Sequence, residues 1–289
     1  MRLKAAILDL LAYLAVMQLP AGDEQIEQLL RVRTSHLAIR DELGKLEADG
    51  KVIRVQREYW GLPGIKYHNM KRQRAIQAKL LQRAERWSWL IRLIPAVKSV
   101  VVVNSVGIGN PNKNSDIDLL IVTSPRRIYL TKGLLMYGLR LLKQLETPEN
   151  KSGRFSLGMF VTTVGVKWER DIMKTNEPHL LWLYALAKPV YGESVWYGLL
   201  RRSGYYQERL PNYPWPHDPI HVYRGGLRAL DWVDNVGYRR HLKHTSLQPK
   251  NHTAKAFVRI RPDIINLHAL DRTTEIAEKY HKIRSEVGA

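Results

Sequence analysis

The chain has 289 residues, no cysteine and a formal net charge of +19. The missing cysteines exclude disulfides and thiolate metal sites, and no stretch approaches the ~20 apolar residues of a membrane-spanning helix. Residues 1–94 contribute +7, residues 95–220 +6 and residues 221–289 +6, so the excess is not confined to one tail. A folded basic surface of this kind attracts polyanions such as nucleic acid or nucleotide phosphates.

The length allows one large domain or two to three small ones. Met1-Arg-Leu-Lys followed by an apolar run to Leu19 has the outline of a secretory signal. Asp9 interrupts that run, and Ile7, Leu10, Leu11, Leu14 and Met17 recur at helical spacing. The expectation is a core helix, no membrane span and a cytoplasmic protein. A second helix is expected near Asp23–Arg31, with Asp23 and Glu24 complementing the dipole of its first turn. A third begins at Thr34 or Ser35, both good N-caps, and stops near Asp49-Gly50. Lys51–Gln56 then alternates as a strand, and Glu58–Leu62 opens its partner.

Helix, helix, helix, hairpin is the order of a winged helix, and Leu37–Tyr59 resembles the third helix and wing of that family. The DNA-binding version would set Arg33, His36 and Arg40 in the major groove, with Arg54 or Arg57 on the wing. Winged helices also serve as protein-contact modules, and the fold alone does not choose.

Residues 66–94 read as one long basic helix stopped by Pro95. Its mixture of Lys, Arg and Trp suits nucleic acid, and equally a connector whose Trp residues enter the next core. "VKSVVVV" is then a buried strand. A polar loop over 105–115 follows, and "DIDLLIVT" is the next strand. A helix is expected over 126–145 and a third strand over 155–164. Further helices are expected near 178–186, 195–202, 222–244 and 272–284, with the proline-rich 211–219 as a linker.

The chemistry concentrates in Val101–Thr123, "VVVNSVGIGNPNKNSDIDLLIVT". On a strand, residues i and i+2 share a face, so Asp116 and Asp118 project together while Ile117, Leu119 and Ile121 face the other way. Two carboxylates this close repel each other unless a cation sits between them, and hard oxygen ligands suit Mg²⁺. The loop before them holds Asn104, Ser105, Gly107, Gly109, Lys113 and Ser115, whose small residues, hydroxyls and one amine suit the phosphates of an NTP.

This stretch resembles the signature of the DNA polymerase β-like nucleotidyltransferase superfamily: apolar strand, Gly-Ser, about ten residues, then Asp-x-Asp in an apolar strand. More loosely, residues 97–285 resemble small bacterial members with an N-terminal winged helix. The resemblance implies an α+β protein: a winged helix over 1–64, a connecting helix over 65–95, a mixed-sheet nucleotidyltransferase domain over 96–210 and a C-terminal helical region over 211–289. It implies that Ser105 holds the triphosphate of an NTP, that Asp116 and Asp118 bind Mg²⁺, and that an NMP passes to an acceptor. DNA or RNA is the acceptor favoured by the charge.

Two residues depart from the pattern. Asn104 stands where the family has Gly, and Asn is the non-glycine residue that best tolerates a left-handed backbone. The family's third carboxylate sits on a following strand, but "RFSLGMFVTTV" holds no acid. Glu146, Glu169 and Asp171 are the acids whose positions discriminate. A carboxylate near Asp116 supports catalysis. An apolar side chain there supports a winged-helix nucleic-acid-binding or regulatory protein with an inert transferase domain. The clustered His241, His244 and His252 lack metal-binding spacing and read as surface residues.

Overall fold

The computed structural model describes residues 2–164, 178–202, 204–216, 228–246, 257–268 and 273–289. It is a mixed α+β fold. The chain opens with α1 (Leu3–Val16), α2 (Asp23–Leu29) and α3 (His36–Ala48), then a small sheet of β1 (Ile53–Val55) and β2 (Tyr59–Gly61). Ser35 caps α3 by accepting from the Ala38 N–H. The β1–β2 turn carries two left-handed non-glycine residues, Gln56 and Arg57. The Gln56 amide offsets part of that strain, because it donates to the His68 carbonyl and accepts from the Met70 N–H. The hairpin is thereby tied to the start of the next helix.

That helix is α4 (Met70–Ile91), capped by Asn69. The chain continues through β3 (Val97–Val102), α5 (Asn104–Ile108), β4 (Ile117–Thr123), α6 (Ile128–Leu141) and β5 (Phe155–Thr162). After it come α7 (Pro178–Ala185), β6 (Lys188–Tyr191), α8 (Glu193–Arg202), α9 (Tyr205–Arg209), a 3₁₀ turn at Arg228–Leu230 and α10 (Asp231–Ser246). The described chain ends with β7 (Phe257–Arg261), β8 (Ile264–His268) and α11 (Thr273–Val287). Among the described residues no helix is long and apolar enough to cross a membrane.

Six strands form one mixed sheet in the order β6-β3-β4-β5-β8-β7. The β4–β5 pair is parallel and the other pairs are antiparallel. Alternation divides the central strands between two cores. Val100, Val102, Ile117, Leu119 and Ile121 pack with Ala84 and Ile91 of α4 and Leu135 and Leu139 of α6. Val101, Leu120, Val122 and Val161 face the opposite side, in a cluster shared with α1, α3, α7 and α8. The N-terminal helices therefore share a core with one face of the large sheet.

Helix α1 differs from the amphipathic expectation. Every residue from Ala6 to Ala15 is buried, Asp9 included. A helix apolar on all sides has to be covered on all sides, and α11 packs along it. Asp9, 1% exposed, accepts a hydrogen bond from the Tyr280 hydroxyl. Arg31 and Arg284 nitrogens lie 3.5 and 3.1 Å from its oxygens. Three strands of this sheet were not expected at all. Lys188–Tyr191 forms β6, at the sheet edge beside β3, and the β7–β8 hairpin closes the other edge.

Candidate active site

The site grows from two adjacent strand ends. β3 ends at Val102, and the chain turns at once into the single turn of α5. Asn104 makes that turn with φ +53°, the left-handed backbone at the position where the family pattern has Gly. Ser105 is half-buried at the start of α5, where helix N–H groups lack intrahelical partners. Gly107 has a packing reason to be glycine: a Cβ there would lie 2.7 Å from the Val102 carbonyl oxygen. Gly109 ends α5 at φ +93°. Ser115 is buried, and its hydroxyl accepts from the Asn112 N–H, which shapes the loop. Lys113 is exposed on the same loop.

Asp116 and Asp118 flank Ile117, whose side chain is fully buried in the opposite core. Both carboxylates therefore leave the sheet on one face. Burial pushes the Asp118 carboxyl up to about 7, and the charge of Asp116 beside it adds to the shift. Hydrogen bonding from the Asn104 and Ser156 side chains works in the opposite direction. Asn104 thus serves the site twice, through its backbone and through its amide.

The discriminating acid is Glu146. β5 lies in register with β4, with Asp118 opposite Ser156. Ser156 therefore holds the strand position next to Asp118, and no acid stands there. The chain brings one in from the side. After α6, residues 144–146 lay against the start of β5: the Phe155 N–H donates to Gln144 and the Glu146 N–H donates to the Phe155 carbonyl. Glu146 thereby comes close enough to Asp116 and Ser156 for both to act on its carboxyl, and burial holds that carboxyl above the ordinary range. The charges of Asp116 and Glu146 both act on Asp118.

Among the described residues no group of three His, Asp or Glu side chains is arranged as it stands to hold a metal ion. The donor set nevertheless fits a divalent cation chemically: it is all oxygen, and a cation relieves the repulsion that raises Asp118.

The rest of the expected residues divide clearly. Glu169 and Asp171 lie outside the described residues, as does His252. Arg126 and Arg127 hold the first turn of α10, with nitrogens 3.0 and 2.7 Å from Asp231. His241 packs on the Tyr129 ring and lies 3.5 Å from the Lys132 amine. His36, Arg40 and Arg54 each pair with an acid, respectively Glu27, Asp23 and Glu47. Lys188, given no role in the sequence reading, sits opposite Val102 in β6, two residues ahead of Asn104. Burial lowers its pKa. Comparison with protein-family models, curated proteins and solved structures finds no match.

The repulsion has a measurable consequence. Asp118 keeps its proton in the folded protein up to about pH 7, while the unfolded chain loses it near 3.8. The folded state therefore binds more protons in that window, and stability falls as pH rises through it. Metal-free thermal melts are expected to lose stability as pH rises from about 4 to about 7. Asp118→Asn is expected to flatten that decline. Mg²⁺ or Mn²⁺ is expected to raise the melting temperature more at pH 8 than at pH 6.

Proposed function

We propose that this chain is a Mg²⁺-dependent nucleotidyltransferase that moves an NMP from an NTP to an acceptor hydroxyl. The fold is read as an N-terminal winged helix, a nucleotidyltransferase domain on the mixed sheet, and C-terminal helices. The observation that carries the reading is Glu146, laid against the start of β5 by backbone hydrogen bonds to Phe155 and so brought beside the carboxylate pair. The alternative, an inert transferase domain, rested on the lack of a third acid there. On the expected DNA-reading surface His36, Arg40 and Arg54 are paired with acids, while Arg33 and Arg57 are exposed.

Asp116, Asp118 and Glu146 would hold the metal, which supplies neutralisation of the charge on the attacking and leaving oxygens. Ser105 and the N–H groups of the Asn104–Val106 turn bind the triphosphate, with Lys188 and Lys113 as flanking cations. The Asn104 amide orients Asp118. The acceptor hydroxyl attacks the α-phosphorus, a new P–O bond forms, and the bond to pyrophosphate breaks. Glu146 takes the hydroxyl proton.

The test is incubation with α-³²P-labelled NTPs, Mg²⁺ and pooled RNA, DNA and protein acceptors. Label transfer by the wild type is expected, with loss in Asp116→Asn/Asp118→Asn. Equal labelling by the two would overturn the reading.

A further inference from the structure

The N-terminal charge is sharply segregated. Residues 1–64 hold nine basic and nine acidic residues. The next thirty, 65–94, hold eight basic residues and one acid, Glu85. Nearly all of these lie on α4: Lys71, Arg72, Arg74, Lys79, Arg83 and Arg86. The evenness of charge along the chain hides this, because a neutral module precedes a strongly basic helix.

The helix keeps this charge outward. Lys71, Arg72, Arg74, Lys79 and Arg86 are exposed, while Ala84, Ser88 and Ile91 are buried. Arg72, Lys79 and Arg86 recur every seven residues, which is nearly two full turns, so they form one row with steps of about 10 Å. Among the described residues none of the three takes part in an ion pair. By contrast, the basic residues of α3 and β1 are neutralised locally. Glu85, the one acid of the helix, is exposed beside Arg86, and the row still carries three cations to that single acid, a surface complementary to a polyanion.

Two contacts give that surface a direction and a chemistry. The N-terminal half of α4 runs beside the candidate site: Gln77 donates to the Val106 carbonyl at 2.7 Å, and Leu80 approaches Gly153 in the turn between Glu146 and β5. At the other end, the two tryptophans have opposite fates. Trp87 packs edge-on against Phe155 in the core. Trp89 is 59% exposed, with Arg92 beside its ring. An exposed indole at the end of a cationic row offers a stacking platform to an unpaired base.

We propose that the exposed face of α4 docks single-stranded nucleic acid, its phosphates along Arg72, Lys79 and Arg86 and a base on Trp89. That this strand is also the acceptor rests on the nucleotidyltransferase reading. Docking does not, so the two fail separately.

The experiment is fluorescence anisotropy of the full chain with a labelled 20-nucleotide RNA and its DNA counterpart, without NTP, across a salt series. The wild type is expected to bind, and Arg72→Ala/Lys79→Ala/Arg86→Ala to bind at least ten-fold more weakly. The slope of log K against log salt is expected to fall by about 2 in the triple variant, as three lost phosphate contacts require. Trp89→Ala is expected to weaken binding with the slope unchanged. Asp116→Asn/Asp118→Asn is expected to bind RNA normally, which separates docking from transfer. Circular dichroism and melting of each variant establish that it is folded. Unchanged RNA binding in a folded triple variant overturns the proposal. So does a protein that ignores RNA and DNA but binds phosphatidylserine vesicles through the same three residues, which would make α4 a membrane-surface helix.

Discussion

Glu146→Gln is expected to lower label transfer by about 10²- to 10⁴-fold, the range for loss of a positioned acid–base group. The substitution keeps the side chain's size and its capacity to hydrogen-bond. It removes only the charge and the proton-accepting oxygen. The fold has no reason to suffer. Burial raises the Asp118 carboxyl to about 7 and holds Glu146 above its ordinary range, so a negative charge is disfavoured there and its removal does not cost stability. Melting temperature without metal is therefore expected to stay the same or rise, while turnover collapses. Glu146→Asp keeps the charge on a shorter arm and is expected to retain part of the rate. Steady-state kinetics against NTP concentration, at saturating Mg²⁺, makes the comparison. Full activity in a folded Glu146→Gln would remove Glu146 from the mechanism.

The second large effect concerns the fold. Asp9 is fully buried in α1, and its countercharges come from Arg31 and from Arg284 near the C-terminus. Arg31→Ala/Arg284→Ala leaves a buried carboxylate facing only the Tyr280 hydroxyl. Breaking a buried pair from one side costs about 3–5 kcal/mol. For a chain of this size that corresponds to a fall of roughly 10 °C in melting temperature. The cause is the stranded charge, so adding Asp9→Leu to the double variant is expected to recover much of the loss. Urea titrations of the wild type, the double variant and the triple variant read this directly. A triple variant no more stable than the double would show that the arginines act through packing.

How far the sequence foretold these features depends on how local each one is. The carboxylate pair was legible because alternation on a strand is a property of neighbours: Ile117 and Leu119 go to one core, so Asp116 and Asp118 go to the other face. The left-handed backbone at Asn104 was legible for the same reason. Glu146 was harder. The family pattern places its third acid within the third strand, but this acid precedes that strand, carried back by the turn through Thr147–Arg154 to lie beside Phe155. The turn residues "TPENKSG" after Glu146 were the available signal. β6 was missed because an edge strand of four residues has little pattern of its own. The packing of α1 was misjudged because its amphipathic spacing said nothing of α11, some 270 residues away, which covers the other side. The exposure of Trp89 beside the burial of Trp87 likewise depends on β5.

The most direct test of the metal–triphosphate site is calorimetry with a non-hydrolysable NTP, with and without Mg²⁺, on the wild type and Asp116→Ala/Asp118→Ala. The account predicts Mg²⁺-dependent binding by the wild type that strengthens as pH rises through 7, and no such binding by the variant. Absence of binding by the folded wild type at any pH, or equal binding by the variant, would contradict it.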